Sequence, residues 1–226
     1  MSRLFAIGDI HGCSQALQVL IQSIDPQPED IVVTLGDLVD RGPDTRGVID
    51  QLIELSKRTQ FVGLLGNHEE MMLEVVRGQT PPHRWLRYGG VDTLDSYGFD
   101  GDLDFLPADH VAFFGELGDY FENDDYFFTH GGYSPELPLG HQDPERLRWT
   151  SLRDLVPGPH YSGKTAVVGH TANHEGEVLD FGHLVCIDTY CYGGGWLTAM
   201  ECTTRHFYQA NEQGQVQILA TQPPGD

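Results

Sequence analysis

Leu4-Phe5-Ala6-Ile7-Gly8-Asp9-Ile10-His11-Gly12 is an apolar run that stops on a glycine and opens at once onto an aspartate and a histidine. The same arrangement returns twice. Ile31-Val32-Val33-Thr34-Leu35 leads into Gly36-Asp37-Leu38-Val39-Asp40-Arg41-Gly42, and Phe61-Val62-Gly63-Leu64-Leu65 leads into Gly66-Asn67-His68-Glu69. Asp9 and Asp37 are 28 positions apart, and Asp37 and Asn67 are 30 apart. That is about the length of one strand-helix-strand repeat, so all three blocks are expected on one edge of one parallel sheet.

The intervening segments fit. Ala16, Leu17, Leu20, Ile21 and Ile24 recur at helical spacing, with Ser14 as N-cap and Asp25-Pro26 as the stop. Val48, Ile49, Leu52, Ile53 and Leu55 mark a second helix that begins near Asp44 or Thr45. A third carries Met71, Met72, Val75 and Val76 and ends near Gly78. Strand and helix alternate three times, which predicts a parallel sheet with helices on its faces.

Residues 79–106 break the pattern. They are rich in Gly, Asp, Tyr and Pro, with Trp85 and Tyr88 on a short helical stretch, and read as an excursion bordering a substrate cleft. Residues 107–117 suit another helix. Beyond 119 the character turns to β. Tyr126-Phe127-Phe128-Thr129 leads into His130-Gly131-Gly132, Thr165-Ala166-Val167-Val168 into Gly169-His170-Thr171, and Leu184-Val185-Cys186-Ile187 into Asp188. Three closing antiparallel strands follow, near 196–201, 205–209 and 215–219, and the tail 221–226 is expected to fray. No repeat or linker divides the chain.

Lys and Arg total 13 against 34 Asp and Glu, a formal net charge of -21. Such a surface repels nucleic acid and anionic lipid, so neither is an expected partner. No apolar stretch has signal-peptide or membrane-spanning length. Cys13, Cys186, Cys191 and Cys202 fit neither a zinc spacing nor a disulfide framework, and are read as reduced thiols of a cytoplasmic enzyme.

The chemistry follows from the donors. Carboxylate, imidazole and amide oxygen together suit a divalent ion such as Mn²⁺, Fe²⁺ or Zn²⁺. Asp9 and His11 occupy alternate positions after a strand and reach one ion. Asp37, at the matching end of the next strand, offers two oxygens to two ions, and Asn67 adds a neutral oxygen after the third. His130 and His170 follow later strands in the same way. A pair of ions about 3.5–4 Å apart activates a shared water and clamps phosphoryl oxygens for in-line attack. His68 is next to a ligand but faces the other way along the chain, which suits a general acid for the leaving alkoxide, with Asp40 orienting its ring. Arg41 offers a planar fork to phosphate.

These blocks, with Thr129-His130-Gly131-Gly132 and Val168-Gly169-His170-Thr171, resemble the phosphoprotein phosphatase family. That family includes the serine/threonine protein phosphatases and the small bacterial and phage enzymes of the lambda type. The motifs stand in family order from residue 8 to about residue 200. The resemblance implies an α/β calcineurin-like metallophosphatase sandwich, with mixed β-sheets flanked by helices, and one catalytic domain over 1–226. It implies Asp9, His11 and Asp37 at the first metal, and Asp37, Asn67, His130 and His170 at the second, with Mn²⁺ the first choice of ion. His68, Asp40 and Arg41 take the catalytic roles, and Asn67 and Arg41 face the phosphate. A further phosphate-binding arginine follows a Trp in the family. Arg148 and Arg153 both flank Trp149, and Arg153 is preferred. The implied reaction is hydrolysis of phosphoserine and phosphothreonine esters of a protein or peptide, extending to phosphotyrosine, by direct attack of hydroxide held at the two ions.

The nearest rival is a symmetrical bis(5'-nucleosyl)-tetraphosphatase, which shares the Gly-Asp-x-His-Gly-Cys opening that Cys13 completes. That family usually lacks the Asp equivalent to Asp40 and carries Asp in place of Glu69. A nuclease of the same fold and a silent phosphoprotein-binding scaffold are further alternatives.

Overall fold

Neighbouring side chains of β1 (Leu4–Ile7) meet different cores. Phe5 and Ile7 pack among helices, while Leu4 and Ala6 pack against a second sheet. A strand buried on both faces reads as an unbroken apolar run, which is why it stands out in the sequence. The computed structural model describes residues 2–220, and the tail 221–226 lies outside the described residues.

After β1 come α1 (Ser14–Ile24), β2 (Ile31–Thr34), α2 (Thr45–Ser56), β3 (Gln60–Gly63) and α3 (Asn67–Val76). β1, β2 and β3 pair in parallel, so the three motif blocks leave one edge of one sheet, as the spacing predicts. Asp44 caps α2 by accepting the Gly47 N–H at 2.9 Å. Ser14 does not cap α1. The helix begins on it, and the carboxylate of Glu212 takes the free Ala16 N–H at 3.0 Å. A donor left open at a helix start was satisfied from 196 residues away.

The excursion forms α4 (His83–Trp85), a wide π-type turn over Leu86–Gly90, and α5 (Val91–Tyr97), before α6 (Ala108–Gly115). A second sheet then has β4 (Tyr120–Glu122), β5 (Tyr126–Thr129), β6 (Thr165–Val168), β7 (Leu179–Asp180) and β8 (Leu184–Cys186) in the order β4-β5-β6-β8-β7. Its middle strands are parallel and its edges antiparallel. Between β5 and β6 lies α7 (Pro144–Trp149), a helix with no counterpart in the sequence reading, started by Asp143 and Pro144. β9 (Leu197–Glu201), β10 (His206–Ala210) and β11 (Val216–Ala220) return to the first sheet and extend it from β1, antiparallel, as expected.

The two mixed sheets meet through Ala6, Val33, Leu35, Phe128, Val167 and Val185, all fully buried. Each of these side chains other than Ala6 contributes about 1.5–3 kcal/mol of burial. Helices cover the outer face of the first sheet, and Leu147 of α7 packs on the outer face of the second. The four cysteines are free and buried. Among the described residues no helix is long and apolar enough to cross a membrane.

Candidate active site

Where the strands end, the chain must turn sharply and still aim its side chains outward. The backbone does so through left-handed residues. His11, Asp37, Asp40, Arg41 and His170 have φ of 46°, 50°, 72°, 70° and 63°. Such conformations are costly for non-glycine residues and gather at functional sites, held by surrounding contacts.

The result is a convergence of lone pairs. His130 donates Nδ1–H to the Leu35 carbonyl at 2.8 Å, so its Nε2 is an acceptor. That Nε2 lies 3.0 Å from Asn67 Oδ1, 3.2 Å from His170 Nδ1 and 3.4 Å from Asp37 Oδ1. His170 Nδ1 is 2.9 Å from Asn67 Oδ1. A cation reconciles groups crowded this closely, either a proton on His130, whose pKa Asp37 raises against the effect of burial, or a metal ion, for which the mixed imidazole, carboxylate and amide-oxygen donors are suited. A second group forms on the other oxygen of Asp37. His11 donates Nδ1–H to the Val39 carbonyl at 2.8 Å, and its Nε2 stands 3.5 Å from Asp37 Oδ2. His68 Nε2 is 3.9 Å from the same oxygen. Among the described residues two groups of three lie close enough to share an ion, His11, Asp37 and His68, and Asp37, His130 and His170, with Asp37 common to both.

Asp9 is buried beside them, and its carboxylate accepts the backbone N–H of His170 at 3.1 and 3.0 Å. Burial, then the charges of Asp188 and Asp37, push it well above the ordinary carboxylate range. Burial likewise pushes Asp188 up to about 6. Asp37 goes the other way. Burial raises it, but His130 and His68 beside it hold it well below its usual value. Burial lowers His11, and takes His170 down to about 4, so both are neutral imidazoles ready to ligate.

His68 does not face away from the ligands as the chain direction implied. It turns toward the His11 group, because its Nδ1 is drawn to Asp40 Oδ2 at 2.7 Å. Asp40 is fully buried and also receives Trp85 Nε1–H at 3.0 Å and the Thr93 hydroxyl at 2.7 Å. The excursion therefore does border the site. Its π-type turn brings Gly89 (φ 110°) against Arg41, whose N–H it accepts at 3.3 Å; a Cβ there would stand 2.8 Å from the Arg41 backbone. Tyr88 lies with its ring centroid 6.4 Å from that of His68.

The Arg41 fork donates Nη1–H to His11 Nε2 and Nη2–H to His68 Nε2, each at 2.9 Å, and lies 4.6 Å over the Tyr192 ring. Neither candidate for the second arginine makes a hydrogen bond to these groups. Arg148 is paired with Glu70 and Asp119, while Arg153 donates to the Ala172 carbonyl at 2.5 Å, beside the His170 turn. Sequence reasoning passed over Glu69, Trp85, Thr93 and Asp188 as site residues. Glu69 stood in the third motif block, and Asp188 carried a signal of its own, an aspartate directly after an apolar run, where Asp9 and Asp37 follow one through a single glycine.

Shared carboxylate, converging imidazoles and an adjacent His68–Asp40 hydrogen bond make up the centre of a metallophosphoesterase on a two-sheet sandwich. The calcineurin-like phosphoesterase family matches residues 2–203, and the chain belongs to it. It is 37% identical over 89 residues to a serine/threonine-protein phosphatase 1 of Salmonella typhimurium, covering 38% of each chain. It is 27% identical over 264 aligned positions to a symmetrical bis(5'-nucleosyl)-tetraphosphatase of Methylobacillus flagellatus, covering 91% of this chain and 94% of the relative. The cold-active protein-tyrosine phosphatase of a psychrophilic Shewanella superposes with a TM-score of 0.66 at 18% identity, over 97% of this chain and 80% of that one, which speaks to the fold alone. The matches to several curated relatives span less than half of the relative's length.

Proposed function

We propose that the chain hydrolyses phosphate monoesters, with phosphoserine and phosphothreonine in proteins or peptides as its substrates and phosphotyrosine as an extension. The observation that carries this reading is the buried His68–Asp40 pair at 2.7 Å. An alkoxide is a strongly basic leaving group and needs a proton as the P–O bond breaks; a positioned acid is worth about 10²–10⁴-fold. His68 serves as that acid in the form that carries a proton on Nε2, with the Arg41 N–H withdrawn from that nitrogen, and Asp40 holds its ring through Nδ1. Asp9, His11 and Asp37 would hold one divalent ion, and Asp37, Asn67, His130 and His170 the other. Manganese is the favoured identity, with iron and zinc as alternatives. Two such ions supply an activated water and neutralise phosphate charge. With His11 Nε2 given to an ion, Arg41 would lose that acceptor and have one arm of its fork free for phosphate oxygens. Arg153 reaches the substrate only if it leaves the Ala172 carbonyl.

The same reading makes the chain a single cytoplasmic catalytic domain that avoids nucleic acid and membranes.

The second reading is symmetrical cleavage of dinucleoside tetraphosphates. The names of several relatives support it, including the one aligned along almost the whole chain. The relatives' names thus lean to the second reading and the His68–Asp40 pair to the first. A nucleotide leaving group is weakly basic and needs no such acid. Manganese-dependent turnover of a phosphoserine peptide beside diadenosine tetraphosphate decides between them. A kcat/KM at least tenfold higher on the dinucleotide would reject the monoester reading.

A further inference from the structure

Glu69 is wholly buried, and both of its oxygens are spent on backbone N–H groups. Oε2 accepts from Asp37 at 2.9 Å and from Gly66 at 2.9 Å. Oε1 accepts from Leu38 at 2.7 Å and from Val39 at 3.1 Å. Four backbone N–H donors face this carboxylate, two on each oxygen. Gly66 leaves room for it: a Cβ at that position would stand 2.2 Å from Asp37 Oδ1 and 2.8 Å from Glu69 Oε2.

The gripped peptides are those that aim the ligands. Asp37 is left-handed, and its Oδ1 takes the His68 N–H at 3.0 Å, which fixes the carboxylate's rotation. Val39 presents the carbonyl that receives His11 Nδ1–H and so leaves His11 Nε2 as the free lone pair. Glu69 itself sits in the first turn of α3, directly after Asn67 and His68. One buried side chain thus ties the turn bearing the shared carboxylate to the helix start bearing a ligand and the acid.

We propose that Glu69 is a positioning residue for the metal centre, holding the 37–39 backbone in the bent form that sets Asp37 between the two ions and His11 Nε2 toward the first. This rests on the two-metal reading of the site, and holds whichever ester is hydrolysed. Side-chain length matters, because aspartate is one methylene too short to serve all four donors. Glutamine has the length, but puts an NH₂ against two N–H groups, so two of the four bonds are lost.

The test is manganese binding to metal-free wild type, Glu69→Gln and Glu69→Asp by calorimetric titration, with the manganese-induced rise in Tm as a second readout. Affinity should fall by about 10–100-fold in both variants, the range for residues that orient ligands, and the Tm increment should shrink with it. Variants that are less stable without metal yet bind manganese as wild type does would overturn the positioning role. Wild-type protein that takes up no manganese would overturn the two-metal reading and this role together. Should neither variant fold, hydrogen exchange on metal-free wild type decides. The amides of Asp37, Leu38 and Val39 should exchange far more slowly than the exposed loop at 100–104, and exchange at that loop's rate would refute the grip.

Discussion

Asp40 and His68 lie 28 positions apart in the chain, yet Oδ2 of one meets Nδ1 of the other at 2.7 Å in a place that solvent does not reach. The bond leaves His68 Nε2 on the Asp37 side, 3.9 Å from Asp37 Oδ2. His68→Asn should therefore keep metal content and lose about 10²–10⁴-fold in kcat on a phosphoserine peptide, with a smaller loss on an aryl phosphate. Equal losses on the two substrates would remove His68 from the proton-transfer step. Asp40→Ala also strands the indole N–H of Trp85, at about 1–3 kcal/mol for a buried unpaired group, while the Thr93 hydroxyl keeps the Thr45 hydroxyl at 3.1 Å. Thermal melts should show that cost, and Asp40→Asn should show less of it.

Asp37 offers Oδ1 to the His130 group and Oδ2 to the His11 group. Asp37→Asn removes the charge common to both. Metal analysis should find both ions depleted, and activity should fall by more than the roughly 10–100-fold typical of residues that merely orient ligands. Retention of two full equivalents of metal would refute the bridging assignment.

Arg41 reaches two imidazoles at once because its fork is planar. Arg41→Ala should raise KM and lower kcat for a monoester, and Arg41→Lys should recover little, since an ammonium cannot present two parallel donors. An unchanged kcat/KM in the alanine variant would take Arg41 out of the phosphate site.

Asp188 gives a pH prediction for the metal-free protein. Burial lifts it from an ordinary 3.8 to about 6, so its proton is held more tightly in the folded state. The stability linked to that proton is complete below about pH 4 and is lost as the pH rises through 6. His170 has the opposite sign: lowered from 6.5 to about 4, it contributes above 6.5 and loses that contribution as the pH falls toward 4. Asp188→Asn should raise the metal-free Tm at pH 8 by a few degrees and change it little at pH 4. A variant equally displaced at both pH values would show that Asp188 acts through packing and not through charge.

Much of this was readable in the sequence where the determinants are local. The β1-α1-β2-α2-β3-α3 order is written in runs of Ile and Val and in helical spacing, and the ligand types sit directly after the runs. What escaped reading depends on distant partners. Glu69 serves three amides 30, 31 and 32 positions earlier, Asp188 acts on Asp9 near the N-terminus, and the start of α1 is completed by Glu212. α7 is only six residues long, too short for a periodicity to show. The pairing of His68 with Asp40 was legible, but the direction of its ring was not, because chain direction at a helix start says little about a ring drawn sideways by a buried carboxylate.

The donors around Asp37 come from both layers of the sandwich: His11, Asp37 and Asn67 leave the strands of one sheet, while His130 and His170 follow β5 and β6 of the other. An ion gripped there acts as a rivet through two plates. Any slippage of one sheet over the other spreads the jaws of the site, so the tightness with which the protein holds its metal is a gauge of how well its halves are docked.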